Sequence, residues 1–277
     1  MLRDGTFDGK VVVVTGGGTG LGKAMAIEFG RLGATVAILS RGEHHIASGV
    51  AAVTEAGGRA IGVPLDIRDS ERVRQAFEEV ESRCGSPDVL INNASGTFTV
   101  PAEDMSPNAW RSVVQIVLDG TFFCSREFAR RRMQADRGGA ILNIGSSYAW
   151  TGGPGSAPLS AAKAGVINLT QSLAVEWASS DIRVNTLVPG PFPHDDLPDH
   201  LKTLYGSRES SRKLPAHRVG EPHELGWAAT YLCSPFASFV TGHTFVIDGG
   251  YWLRHSLHGT PFIPVREQIG APPFAPD

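Results

Sequence analysis

The chain has 277 residues, 42% of them hydrophobic and 19% charged, with a formal net charge of −3. That length suffices for one large α/β domain with a well-buried core, and a near-neutral balance without a long basic run excludes nucleic acid and anionic membrane as expected partners. No apolar stretch reaches the ~18–20 residues of a membrane-spanning helix, the start MLRDGTFDGK is too polar for a signal peptide, and Cys84, Cys124 and Cys233 have neither zinc spacing nor a disulfide framework, so the expectation is a reducing cytoplasm and no metal.

In chain order, Val11 to Val14 is a β-branched run that reads as a central parallel strand buried on both faces. Thr15 and Gly16 end it, and Gly16, Gly20 and Gly22 fall in a TGxxxGxG spacing. Helix formers follow from Lys23 to Arg31, closed by Leu32-Gly33. Tight turns need glycine in any case, so the string alone says little. With a buried strand before it, a helix after it and a second strand at Thr35 to Leu39, it reads as a nucleotide cradle. Glycines let backbone N–H groups approach a pyrophosphate, and the helix N-terminus adds free donors.

Further strands are expected at Ala60 to Pro64, Val89 to Asn92, Ala140 to Ile144, Arg183 to Val188 and Thr244 to Ile247. Helices are expected over Glu43 to Ala56, Ser70 to Cys84, Ser106 to Gln134, Ala157 to Ser179 and Glu221 to Cys233. Ser106-Pro107 supplies an N-cap and an N1 proline. Arg130-Arg131-Arg132 reads as a solvated helix end, where cations favour the dipole. Seven strands alternating with helices predict a single-domain, Rossmann-type doubly wound parallel sheet over residues 1–250, with ligands at the carboxyl ends of the strands. Pro189 to Lys213 is long for a connection and has the character of a lid. The proline-rich tail, 251–277, is expected to pack on the domain or on a neighbouring subunit.

From Lys10 to about Gly250 the chain resembles the short-chain dehydrogenase/reductase family. The likeness rests on TGGGTGLG, on Asp66 in PLDIRD, on Asn92-Asn93-Ala94, on Ser146 and Lys163, on Pro189-Gly190 and on the terminal IDGG. The resemblance implies a nicotinamide cofactor held by Gly16, Gly17, Gly18, Thr19, Gly20, Leu21, Ser40, Arg41, Asp66, Ile67, Asn93, Ala94, Lys163, Pro189, Gly190 and Phe192, and a homotetramer. Lys163, in the small-residue run Ser160 to Gly165, is a cation that a closely packed helix can hold near a sugar hydroxyl. The alternative is a snorkelling surface lysine. Family members that prefer NAD carry an acid at the end of the second strand. Here Ser40-Arg41 stands there, and a guanidinium suits a 2′-phosphate. NADPH is therefore the expected cofactor.

Two positions depart from the family pattern. The proton-donating tyrosine four residues before the lysine is Leu159, and the helix asparagine is Asp119. A carbonyl reductase mechanism thus lacks its acid. Within the family, the chain is similar to the 2,4-dienoyl-CoA reductase branch in its TGGGTGLGK turn, Ser106 to Trp110, Val117 to Thr121, Ser146 to Gly152 and Ala174 to Trp177. That branch uses a tyrosine fifteen residues before the lysine, here Tyr148, and a second donor at the position of Thr97. It implies NADPH reduction of a conjugated enoyl or dienoyl thioester, a small-molecule substrate carrying coenzyme A, with donors stabilising the thioester oxyanion. Tyr148 is also a residue that packs or lines a pocket, and Asp119 is either a desolvated proton relay or merely solvated. Two other readings stay open. One is a carbonyl or hydroxyl oxidoreductase whose acid is Tyr148 or Asp119; the other is a non-catalytic NADP(H)-binding protein.

Overall fold

The computed structural model describes residues 2–197, 199, 202–203, 211–212, 214–253, 265–270 and 272. Its seven strands are β1 (Val11–Thr15), β2 (Thr35–Ser40), β3 (Arg59–Pro64), β4 (Val89–Asn92), β5 (Gly139–Ile144), β6 (Ile182–Pro189) and β7 (Thr244–Ile247). They form one sheet in the order β3-β2-β1-β4-β5-β6-β7, and every neighbouring pair is parallel. The order reverses between β1 and β4, which opens a crevice at their carboxyl ends.

The helices are α1 (Gly20–Arg31), α2 (Glu43–Glu55), α3 (Ser70–Cys84), α4 (Pro107–Val114), α5 (Gly120–Gln134), α6 (Tyr148–Thr151), α7 (Ala157–Trp177) and α8 (Pro222–Cys233), apart from short turns. Alternation along β1 splits the core into two layers. Val12 and Val14 pack with Phe29 of α1 and Leu225 of α8. Val11 and Val13 face Phe77 of α3, Phe128 of α5 and Trp177 of α7. Because both faces are covered, β1 has no polar alternation, as its Val run requires.

Local chemistry sets several boundaries. Asp69 caps α3 by accepting from the Glu71 and Arg72 amides, and Ser106 caps α4 through the Ala109 amide at 3.1 Å with Pro107 at N1. α1 begins at Gly20, earlier than its run of helix formers. The stretch from Ser106 to Gln134 is broken by a π-turn over Gln115–Asp119, a device that inserts a residue and re-aims the side chains around it. α7 stops at Trp177 and tightens into a 3₁₀ turn at Ala178–Ser180.

In the Arg130-Arg131-Arg132 run, Arg130 is exposed as expected of a solvated end, but its two neighbours are not. Arg132 is buried and donates to the Gly138 and Pro87 carbonyls, while Arg131 is clamped by Glu127 and Glu81. Both are largely withdrawn from water. Much of the expected lid (198, 200, 201, 204–210 and 213) and of the tail (254–264, 271 and 273–277) lies outside the described residues. In the described part of the tail, Arg266 pairs with Asp104 at 2.7 Å. Among the described residues, no helix is long and apolar enough to cross a membrane.

A buried polar ladder ties three strands to two helices. Asn92 donates to Ser125 and to Asn143, at 2.9 and 2.8 Å. Asn143 donates to Thr170 at 2.9 Å, and Thr186 donates to the same hydroxyl at 2.8 Å. Removing the middle member strands partners that have no water to turn to. Asn143→Ala is expected to cost about 2–4 kcal/mol, from two lost bonds and the donors and acceptors they leave bare. Urea denaturation measures it; a loss below about 1 kcal/mol would mean that the ladder is dispensable.

Candidate active site

The cofactor turn is held by β4. The Thr15 hydroxyl accepts from the Asn93 and Ala94 amides at 3.0 and 3.1 Å, and the Asn93 side chain donates to the Thr15 and Gly16 carbonyls, each at 3.1 Å. This approach leaves no room for side chains. A Cβ on Gly16 would stand 3.0 Å from Ala94 and Asn93, and one on Gly22 would collide with the Gly16 carbonyl and the Asn93 amide. Gly16 also has φ +63°, a conformation that L-residues rarely adopt. Thr19, the N-cap of α1, makes no side-chain cap bond, and the first amide of the helix, that of Gly20, donates instead to the Asp196 carboxylate at 2.7 Å.

A cleft of about 830 Å³ opens over this turn, a size in the range of cofactor sites. Of the residues expected to hold the cofactor, Gly16, Thr19, Gly20, Leu21, Ser40, Arg41, Asp66, Ile67, Asn93, Ala94, Lys163 and Pro189 line it. Gly17, Gly18, Gly190 and Phe192 do not. Gly17 packs on Val14 and Ile38, Gly18 lies under the His45 carbonyl, and Gly190 abuts Asp248. Phe192 is a core residue whose ring fills the space beside Gly220. These four shape the walls from behind. Asp66 is held below the usual carboxylate range by its bonds to the Arg68 guanidinium, against the effect of burial.

Of the residues expected at the reacting centre, Ser146 and Lys163 line the cleft together with Leu159. Lys163 does not snorkel: its side chain is buried and donates to the carbonyl of Ile144, at the end of β5. Tyr148, Thr97 and Asp119 are not among the lining residues. Tyr148 sits on α6 just past Ser146, whose Oγ accepts from the Tyr148 amide at 3.2 Å. Its ring rests on Gly153 and is 42% exposed. Thr97 is exposed on the loop after β4, and Asp119 ends the π-turn, half-buried. That turn carries Ile116 into the cleft instead.

Sequence reasoning missed His44, His45 and His194, which line the same cleft. The first two were legible as the residues that open α2 just after Arg41. His194 was not, because it lies in a run of prolines without periodicity. Its loop also brings Asp196 to the turn, where the carboxylate accepts from the Gly20 amide at 2.7 Å and pairs with Lys23 at 2.9 Å. Burial raises the pKa of Asp196, but the Gly20 amide and Lys23 outweigh it and hold the group below the usual range. Burial pushes the His194 imidazole down, with Asp196 opposing.

A glycine turn at the first strand, an Asn-Asn-Ala strand end beside it and a serine with a buried lysine beyond are thus gathered in one crevice of a parallel sheet. The family model described as enoyl-(acyl carrier protein) reductase matches residues 16–252. The chain belongs to the short-chain dehydrogenase/reductase family. As a member it is an oxidoreductase that uses a nicotinamide cofactor. A "probable 2,4-dienoyl-CoA reductase" of Bacillus subtilis is 37% identical over 247 residues, covering 88% of this chain and 97% of that protein. An oxidoreductase of Caenorhabditis elegans is 39% identical over 266 residues, covering 94% of this chain and 84% of that protein. The crystal structure of a short-chain dehydrogenase from Bacillus anthracis superposes with a TM-score of 0.82 at 37% identity, over 90% of this chain and 98% of that one.

Burial lowers the pKa of Lys163 from an ordinary 10.5 to about 8. Above 10.5 the amine is neutral in both folded and unfolded chains. As pH falls from 10.5 to 8, only the unfolded chain takes up the proton, so this group's contribution turns against folding. Below 8 the penalty is constant. Lys163→Met is therefore expected to be more stable than the cofactor-free wild type at pH 7, with an advantage that shrinks as pH rises from 8 to 10.5. Paired urea titrations across that range check it; a constant difference would show that the amine is not desolvated.

Proposed function

We propose that this short-chain dehydrogenase/reductase is an NADPH-dependent reductase of conjugated enoyl or dienoyl thioesters, with an acyl-CoA as its small-molecule substrate. The observation that carries the reading is Leu159: an apolar side chain lines the cleft beside Ser146 and Lys163, where a carbonyl reductase of the family needs its acid. The name carried by the Bacillus subtilis relative supports the same chemistry.

The turn suits a dinucleotide on its own geometry, since Gly16 and Gly22 leave a cradle that a Cβ would fill, and a diphosphate there would take over the Gly20 amide that the Asp196 carboxylate engages. When bound, the nicotinamide supplies hydride to the far end of the conjugated system. The residues of the chain manage the charge that this creates. Electron density moves to the thioester oxygen, which needs donors aimed at it in a site with little water. Ser146 offers a hydroxyl in the cleft, and Tyr148, on α6 two residues further on and outside the lining of the unliganded cleft, is assigned the second. Lys163, anchored on the Ile144 carbonyl, holds the ribose and keeps positive charge near the reacting end. Leu159, Ile116 and Ile144 exclude water and match an apolar chain. Thr97 and Asp119 stand away from the cleft and have no part in this reading. A homotetramer accords with the apolar surface at Phe236, Phe239 and Val175, of which Phe239 is fully exposed.

Ser40 and Arg41 form the adenosine end of the cleft. NADPH is expected to bind at least about tenfold more tightly than NADH, and Arg41→Ala to erase most of that margin. Equal dissociation constants in the wild type would end the NADPH assignment.

The reaction is tested by NADPH oxidation against a panel of dienoyl thioesters, enoyl thioesters, enones and ketones. Turnover is expected with the conjugated thioesters; a blank panel with NADPH binding intact would favour a non-catalytic cofactor-binding protein. Tyr148→Phe removes one oxyanion donor, with an expected loss of about 10²–10³ in turnover and unchanged NADPH affinity. Leu159→Tyr, which adds a phenol where the thioester must lie, is expected to bring no gain on that substrate. If Tyr148→Phe keeps wild-type turnover with hydride transfer rate-limiting, Tyr148 only packs on Gly153.

A further inference from the structure

A single turn of helix does not hold itself in water, because its first hydrogen bond costs the freedom of several residues. α6 is such a turn. It has four residues, none of them buried, and its N-cap, Ser147, makes no side-chain cap bond. Its own backbone bonds are local: the Thr151 amide donates to the Ser147 carbonyl and the Gly152 amide to that of Tyr148, both at 3.1 Å. Its place therefore has to come from packing.

That place matters to the cleft. The Tyr148 amide, the first of α6, donates to Ser146 Oγ at 3.2 Å, and Ser146 lines the cleft with Lys163. A serine hydroxyl that accepts from an amide keeps its own O–H to donate, so the position of α6 sets where Ser146 is aimed. A donor of this kind has to be held within about 0.5 Å of its productive position.

The support comes from a distant part of the chain. The Trp150 ring, 43% exposed, meets the half-buried Trp252 ring with centroids 4.9 Å apart and planes tilted by 33°, a separation at which aromatic pairs stabilise beyond the area they cover. Trp252 is itself tied to the sheet. The Asp248 carboxylate, just past β7, accepts from the Gly250 and Trp252 amides, both at 2.8 Å. The Gly190 amide, just past β6, donates to the Ile247 carbonyl at 2.8 Å and brings Asp248 against Gly190. Trp252 thus carries the position of the β6 and β7 ends to α6. Trp150 and Tyr148 are two residues apart and do not share a side of the turn, so one can be gripped while the other points elsewhere.

We infer that Trp252 is a positioning residue of the active site: its ring grips Trp150, fixes α6, and so holds the Ser146 hydroxyl and the Tyr148 ring in place. The effect on turnover rests on the thioester reading; the grip on α6 does not.

Hydrogen exchange read by mass spectrometry, paired with steady-state kinetics, tests the two parts separately. In Trp252→Ala the amides of α6 are expected to exchange at least about fivefold faster, with those of β5 and α7 unchanged. Unaltered exchange in α6 overturns the grip, whatever the substrate. On a conjugated thioester that the wild type turns over, Trp252→Ala is expected to lower kcat by about tenfold. NADPH affinity should stay within about twofold, which also shows that the variant is folded. Trp252→Phe keeps a ring for Trp150 to meet and is expected to restore most of the loss. Trp150→Ala should reproduce the loss, and the double variant should be no worse than either single one. Additive losses would mean that Trp252 acts elsewhere, and faster exchange with wild-type kcat would mean that the site does not depend on α6; either result overturns the assignment. So does a loss confined to KM, which would make Trp252 a substrate contact. A wild type that reduces no thioester ends the catalytic role together with the thioester reading, and the exchange rates then decide the grip by themselves.

Discussion

The absence of a side chain at Gly22 is the constraint on which the site depends. Only a bare Cα lets the backbone of α1 come down onto the Gly16 carbonyl and the Asn93 amide. Asn93 then bridges two carbonyls of the turn, while the Thr15 hydroxyl collects two amides of the β4 loop. These bonds join the carboxyl ends of β1 and β4 at the point where strand order reverses. The result is a crevice with helix amides on one wall and a fixed strand end on the other, in place before any ligand arrives. Preorganisation of this kind lowers the ordering cost of binding.

The far wall is built on a different compromise. Taking the Lys163 amine out of water is unfavourable, and one bond to the Ile144 carbonyl offsets only part of that. α7 can hold it there because the residues around it are small: Ala162 is buried, and Gly165 sits against Leu118 of the π-turn. The same turn brings Ile116 to the cleft, which Leu159 also lines. Ser146 and Lys163 therefore share the cleft with apolar side chains, and electrostatic interactions in such surroundings are stronger than in water.

Much of this was legible in the sequence by itself. The Val11–Val14 run, the glycine spacing and the alternation of strands with helices determined a doubly wound sheet and the position of its cofactor turn. Those signals are short-range, set by the periodicity and steric demands of neighbouring residues. Lys163 among alanines, leucine in place of an acidic tyrosine, and Arg41 at the end of β2 were equally readable, because each lies at the end of a strand or on a helix whose register the sequence sets. The single helix expected from Ser106 to Gln134 failed for a related reason: a π-turn keeps helical propensity and changes only the hydrogen-bond step.

Only the tertiary structure decided which side chains share the cleft. Tyr148 follows Ser146 closely in sequence, yet α6 turns its ring onto Gly153 and away from the lining. Phe192 follows the Pro189-Gly190 turn and goes into the core instead of the cleft. His194 and Asp196 reach Gly20 across the whole width of the chain, by the path of a loop with no periodicity to announce it. Arg131 and Arg132 look like solvated charges in sequence and are pinned in the fold by carboxylates and carbonyls from distant segments. Tyr148 is set by a local contact with Gly153; in the other cases a determining contact joins residues far apart along the chain, and its energy depends on how two elements pack, which local sequence does not encode.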